Sequence, residues 1–230
     1  MNLPTKIEIH LESEDFLVIE KPAGMHCHPL KESDQNTLIQ ILAQKYPEVL
    51  TIGNPGREAG LVHRLDKETS GLILVARNHS TYSFLRNEFQ ARRVRKEYLA
   101  LCPKMTNFEG WKKIDAPIAH HAKNKRKMQV GGKKARPAIS FYQIEEQLAD
   151  ATLVRVRIET GVRHQIRVHL AHLGFPLLGD VLYKGEIRKG LEGFKLQAVL
   201  LEFQDPAHPS KKIRSQNMEA GGIAPPSGKI

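Results

Sequence analysis

Residues 61 to 77 read "LVHRLDKETSGLILVAR". Charged residues and a small polar turn give way here to an unbroken apolar run, the composition of a strand buried on both faces. "GLILVAR" (71–77) is therefore expected to be a strand. The segment before it is expected to be a loop at a sheet edge, with Thr69 and Ser70 supplying local hydrogen bonds, a place where functional groups are commonly held. Asp66 is the residue this stretch leaves to be explained. Set between Arg64 and Lys67 and taken alone, it reads as half of a surface ion pair.

Outward from that stretch, helical and strand-like segments are interspersed. "DFLVIEKPAG" (15–24) is strand-like and ends in a Pro/Gly turn, and "TLIQILAQKY" (37–46) predicts a helix with Thr37 as N-cap. After an irregular segment, 51–60, and the quoted stretch, "STYSFLRNEFQAR" (80–92) predicts an amphipathic helix and "KEYLALC" (96–102) a strand. "ATLVRVRIET" (151–160) alternates at period two, the pattern of a half-exposed strand. "VRHQIRVHLAHLG" (162–174) has helical spacing, with Ile166, Leu170 and Leu173 on one face and Gly174 as C-cap. "EGFKLQAVLLEFQDP" (192–206) predicts the final strand, and "NMEAGGIAPPSGKI" (217–230) a flexible tail. No repeat and no linker divides the chain, so 1–216 is expected to form a single α+β domain.

With 230 residues, 40% of them hydrophobic, the chain can bury a sizeable core. Its two cysteines, Cys27 and Cys102, make neither a disulfide framework nor a cysteine-rich zinc site. The opening residues lack the apolar run of a signal peptide, which points to the cytoplasm. No apolar run approaches the roughly 20 residues that cross a bilayer, so no membrane partner is expected. A formal net charge of +10 draws polyanions, since each phosphate contact releases counterions. The cations cluster in "QARRVRKEY" (90–98) and "HHAKNKRKMQVGGKKARP" (120–137). The second run, with Gly131, Gly132 and Pro137 and no apolar periodicity, reads as an exposed basic loop or hairpin, or else as a disordered solvated turn.

At this point "VHRLDKETSG" (62–71) resembles the HRLDxxTSG signature of the RluA-type pseudouridine synthases. Four further stretches resemble the same family in the same order: "EDFLVIEKPAGMHCHP" (14–29), "RKEYLAL" (95–101), "IDAPIA" (114–119) and "TGVRHQIRVHLAHLGFPLLGDVLY" (160–183). The resemblance implies a pseudouridine synthase fold, a bent and mostly antiparallel central sheet flanked by helices with an RNA cleft across the middle. It implies isomerisation of uridine in ribosomal or transfer RNA: the glycosidic bond to nitrogen breaks, uracil turns over, and carbon-5 bonds to the anomeric carbon. It implies no cofactor and no metal.

Asp66 falls where this family has its essential aspartate, Tyr98 on the tyrosine lying against the target base, and Arg167 on the arginine that pairs with the aspartate. Arg64 matches the arginine that fills the space left by a flipped base. A carboxylate beside a sugar that gains positive charge can serve as nucleophile, as electrostatic partner or as base at the 2′ position. A guanidinium nearby keeps it ionised against burial, and Tyr98 can stack on uracil and pass on the carbon-5 proton. Unstacking a base typically costs a few kcal/mol, which basic contacts offset. His63, Arg163, His164 and the loop residues Lys123, Lys125, Arg126 and Lys127 are the expected RNA contacts.

Considered one at a time, Tyr98 is an ordinary strand aromatic and Arg167 an exposed helix charge. The histidines His26, His28, His120, His121, His164, His169 and His172 raise a metal reading, His169 and His172 being at i, i+3. There is no HExxH run, and histidines of a basic protein more often make ordinary hydrogen bonds, so no metal is expected. Two departures from the family pattern stand out: an arginine at Arg163 displaced by one position, and Gln197 near a place where a histidine is common. The small N-terminal RNA-binding domain of many relatives is expected to be absent. A monomer is expected, and the competing reading is an RNA-binding or RNA-folding factor with a vestigial synthase site.

Overall fold

The structure, a computed structural model, describes residues 7–30, 34–54 and 58–217. Its elements in chain order are β1 (Glu8–Glu12), β2 (Phe16–Lys21), α1 (Leu38–Leu42), β3 (Ser70–Ala76), α2 (His79–Gln90), β4 (Arg95–Pro103), β5 (Lys112–Asp115), β6 (Ile118–His120), β7 (Met128–Val130), β8 (Ile139–Gln147), β9 (Ala151–Ile158), α3 (Gln165–His172), β10 (Leu196–Gln204) and β11 (Lys212–Gln216). Short 3-10 turns lie at Pro47–Thr51 and Val181–Tyr183. They fall into two compact units, one up to Arg95 together with Ala198–Asn217, the other Lys96–Gln197. The tail read over 217–230 lies, apart from Asn217, outside the described residues.

In the first unit the strand order is β1-β2-β3-β10, with β11 on β10. The β1/β2, β2/β3 and β10/β11 pairs are antiparallel. One face carries Phe16 and Val18 of β2, Leu72, Leu74 and Ala76 of β3, and Leu201 and Phe203 of β10, and these pack with Leu85 of α2. Each of these side chains but that of Ala76 contributes about 1.5–3 kcal/mol by leaving water. Leu17, Ile19, Ile73 and Val75 of the opposite face are fully buried too, which is why "GLILVA" has no alternation. β11 was not expected; its "KIRSQ" is too short and polar to stand out, and it exists by pairing with β10.

In the second unit β4-β9-β8-β5 form an antiparallel series, and β6 and β7 a separate hairpin. β9 departs from its expected half-exposure, being buried along nearly its whole length. Its polar positions are covered because they are paired: Arg155 bridges Glu97 and Glu145, and the Arg157 guanidinium stacks on Phe141 and Trp111. α3 departs likewise from an amphipathic surface helix, every residue from Gln165 to Leu170 being buried. α1 is shorter than read, Leu38–Leu42, and starts at a capping box between Thr37 and Gln40.

Candidate active site

Asp66 opens a turn closed by the Thr69 main-chain N–H donating to its carbonyl at 3.1 Å, the position in a turn where aspartate is favoured. Thr69, expected with Ser70 to supply local hydrogen bonds, thus closes the turn through its main chain. The side chain is half-buried and follows the buried Leu65. After the turn the backbone enters β3 through Gly71, at φ +106°, where a Cβ would stand 2.2 Å from the Ala198 carbonyl oxygen, so only glycine fits.

The rest of the loop is pinned through its main chain. Lys21, fully buried at the end of β2, donates from Nζ to the carbonyls of Pro22 (2.8 Å), Met25 (2.9 Å) and Lys67 (3.0 Å). Burial lowers its pKa to about 8, with Cys27, Glu68 and Asp66 opposing the fall. The Gly24 N–H donates to the Lys67 carbonyl at 2.9 Å, the Cys27 thiol to the Leu65 carbonyl at 3.4 Å, and Arg86 Nη1 to the Val62 carbonyl at 3.1 Å. His63 accepts from the Leu74 N–H at 3.0 Å through Nε2 and stacks on Phe89, centroids 4.7 Å apart. A residue expected to touch RNA therefore has a structural duty between the loop and β3. Arg64 is exposed.

Tyr98, Arg167 and the other expected residues lie in the second unit. Tyr98 is buried on β4, in register with Val156. Arg167, expected from its helix as an exposed charge, is only 7% exposed. Its Nε and Nη2 donate to the two oxygens of Asp180 at 2.7 and 2.8 Å, and its guanidinium carbon lies 4.4 Å from the Phe194 ring centroid and 5.0 Å from that of Tyr183. The other polar residues of α3 are equally engaged. Gln165 donates to the Ile139 carbonyl and accepts from Thr160, and His169 contacts Ser140 and the Ala116 carbonyl through its two ring nitrogens. His164, at the N-cap in a left-handed conformation, φ 57°, has Nδ1 2.9 Å from the Tyr183 hydroxyl. Burial first, then the positive charges of Arg167 and Arg163, push its pKa down to about 3.

The 120–137 run is an ordered hairpin rather than a disordered turn. β6 and β7 pair around a bend held by the Arg126 N–H on Asn124 Oδ1 and the Lys127 N–H on the Asn124 carbonyl. Lys123, Lys125 and Arg126 are exposed, whereas Lys127 is half-buried with its Nζ over the Tyr183 ring at 5.4 Å. Arg163 reaches back to the Lys125 and Arg126 carbonyls at 3.5 and 3.3 Å. Among the described residues one cluster gathers metal-ligating atoms within 4.8 Å, Glu8, His10 and Glu20 on β1 and β2, none of them in the sequence reading of metal. There His10 Nε2 is 3.0 Å from Glu20 Oε2, and Asn217 Nδ2 donates to the same oxygen, an arrangement that a hydrogen-bonded ion pair explains. Lys21, Asp180 and Tyr183 were not singled out from the sequence, although a lysine closing an apolar strand before Pro-Ala-Gly, and Asp and Tyr three residues apart, are visible there.

The family pattern described as RNA pseudouridylate synthase matches residues 15–172. The chain belongs to this family. It is 36% identical over 219 residues to the ribosomal large subunit pseudouridine synthase D of Pseudomonas aeruginosa, covering 91% of this chain and 66% of that protein. It is 35% identical over 218 residues to the protein of that name from Haemophilus influenzae, covering 90% and 64%. The chain thus spans less than two thirds of the length of these relatives. Among solved structures it is similar to human RNA pseudouridylate synthase domain containing 1, with TM-score 0.74 and 25% identity over 94% of this chain and 84% of that one. The expected fold class, a largely antiparallel α+β pseudouridine synthase fold, is the observed one. No helix among the described residues is long and apolar enough to cross a membrane.

Proposed function

We propose that this protein converts uridine in RNA to pseudouridine, with ribosomal RNA as the substrate class suggested by the names of its relatives. Asp66, Tyr98 and Arg167 carry the chemistry. Asp66 acts at the ribose, as the charge that develops on the anomeric carbon requires, while Tyr98 lies against the base and Arg167 supplies a fixed guanidinium. The glycosidic bond to N1 breaks, carbon-5 bonds to the sugar, and the carbon-5 proton leaves to solvent as N1 gains one. Arg64 and the exposed hairpin residues Lys123, Lys125 and Arg126 hold the RNA around the unstacked uridine, together with Lys127, Arg163, His63 and His164. The protein acts as a cytoplasmic monomer without metal or cofactor.

The observation that carries this reading is the seat of Asp66. A half-buried carboxylate heads a turn whose backbone is fixed by a buried ammonium and by hydrogen bonds to neighbouring carbonyls, more organisation than a surface ion pair needs. The test is tritium release from RNA labelled at carbon-5 of its uracils, taken from cells lacking this protein. Wild type is expected to release label without added metal and Asp66→Asn to release none. Binding by both with release by neither would leave an RNA-binding factor.

A further inference from the structure

Arg167 is a buried cation on α3. Asp180, 2% exposed, takes its Nε edge in a two-point fork, and that leaves three N–H groups of the guanidinium not used by this pair. The planes of Phe194 and Tyr183 lie against the same group. Asp180 and Tyr183 are three residues apart on one 3-10 turn, where side chains at i and i+3 eclipse, so "DVLY" brings carboxylate and ring to one side. The turn is itself tightly built. The Tyr183 and Gly185 N–H groups both donate to the Asp180 carbonyl, and a Cβ at Gly185 would stand 1.9 Å from the Leu177 carbonyl oxygen.

The Tyr183 hydroxyl does a second job. It accepts from the Met128 N–H at 2.9 Å, at the first residue of β7, and lies 2.9 Å from His164 Nδ1, one residue before α3. Its ring packs in a small core with Ile118 of β6, Met128 of β7, and Val162 and Val168 beside and within α3. The hairpin that carries Lys123, Lys125 and Arg126 is thus bonded, through one side chain, to the residue that clamps Arg167.

We propose that Asp180 and Tyr183 are positioning residues, Asp180 setting the orientation of the Arg167 guanidinium and Tyr183 joining that guanidinium to the seat of the basic hairpin. The inference rests on the reading of Arg167 as a residue of the reaction. An orientation role and an anchoring role move different constants. Asp180→Asn keeps the size and one acceptor but loosens the fork, so the chemical step suffers. Tyr183→Phe keeps the ring against Arg167 but removes the bond to the hairpin main chain, so RNA binding suffers.

The experiment compares wild type, Asp180→Asn, Asp180→Glu and Tyr183→Phe as full chains on unmodified ribosomal RNA transcribed with 5-tritiated uridine. It measures single-turnover rate, filter-binding Kd and thermal midpoint, with the assays run well below each midpoint. Asp180→Asn is expected to lower the rate about tenfold or more with Kd within about threefold, and Asp180→Glu to recover part of that loss. Tyr183→Phe is expected to weaken Kd about fivefold while the rate at saturation stays within about threefold. Wild-type rate and Kd in Asp180→Asn and Tyr183→Phe, or rate and Kd lost in parallel with the midpoint, would overturn the positioning roles while wild type still turns over. A wild type that releases no tritium overturns the synthase reading itself.

Discussion

The Asp66 loop and the Arg167 seat hold their charged residues by different means. Around Asp66 the acceptors are main-chain carbonyls, those of Leu65, Lys67 and Asp66 itself, so the loop keeps its path whatever side chains it displays. Around Arg167 the partners are side chains, Asp180, Tyr183 and Phe194, and each can be removed by one substitution. Backbone anchoring suits a loop whose exposed residues, Arg64 and Lys67, are left to face a partner. Side-chain anchoring suits a cation whose orientation matters, because a buried guanidinium is tolerated when an opposite charge is paired with it.

That contrast is broken most severely by Asp180→Ala, which leaves a buried guanidinium uncompensated and is expected to cost about 3–5 kcal/mol of stability in urea unfolding. A loss near zero would mean that the fork contributes nothing. Lys21→Met is the matching change in the first unit. It takes the donor from three carbonyls but also removes a costly buried charge, and a net loss of about 2 kcal/mol is expected from the same measurement. Lys21→Arg should not restore it, since a planar fork cannot replace three converging N–H groups.

A finer test uses pH. His164 titrates near 3 in the folded protein against an ordinary 6.5, so below 6.5 the unfolded chain takes up a proton that the folded one refuses. Its contribution to stability is fully present above 6.5 and lost progressively toward 3. His28 and His169, also lowered by burial, act in the same direction and leave a residual slope. Asn tolerates the left-handed backbone here, so His164→Asn should fold and show a shallower fall in urea midpoint between pH 6.5 and 4. An unchanged slope would place that titration elsewhere. Arg64→Ala is the smallest change in stability, within about 0.5 kcal/mol, because the side chain is exposed and the loop does not depend on it. A larger loss would show that the loop leans on its surface after all.

Much of this was legible because the signals are local. The apolar run after Gly71 gave β3, Thr37 marked the start of α1, the amphipathic pattern over 80–92 placed α2, and the signature around Asp66 pointed to its family. Where the reading went astray, polarity was taken for exposure. Arg155 in β9, and Gln165, Arg167 and His169 in α3, are polar residues buried with partners that lie 10 to 58 residues away for Arg155 and 13 for Arg167. No periodicity announces such a partner.

The sequence by itself determined where the apolar strands β2, β3, β4, β9 and β10 and the three helices form and which residues could carry the chemistry, since period, turn residues and motif spacing are properties of neighbours along the chain. Only the tertiary structure decided that Lys21 holds the Asp66 loop from beneath, that Asp180 takes the Arg167 fork, and that a tyrosine hydroxyl bonds the basic hairpin. Those choices depend on which donors and acceptors become buried together, and burial is what compels each of them to find a partner.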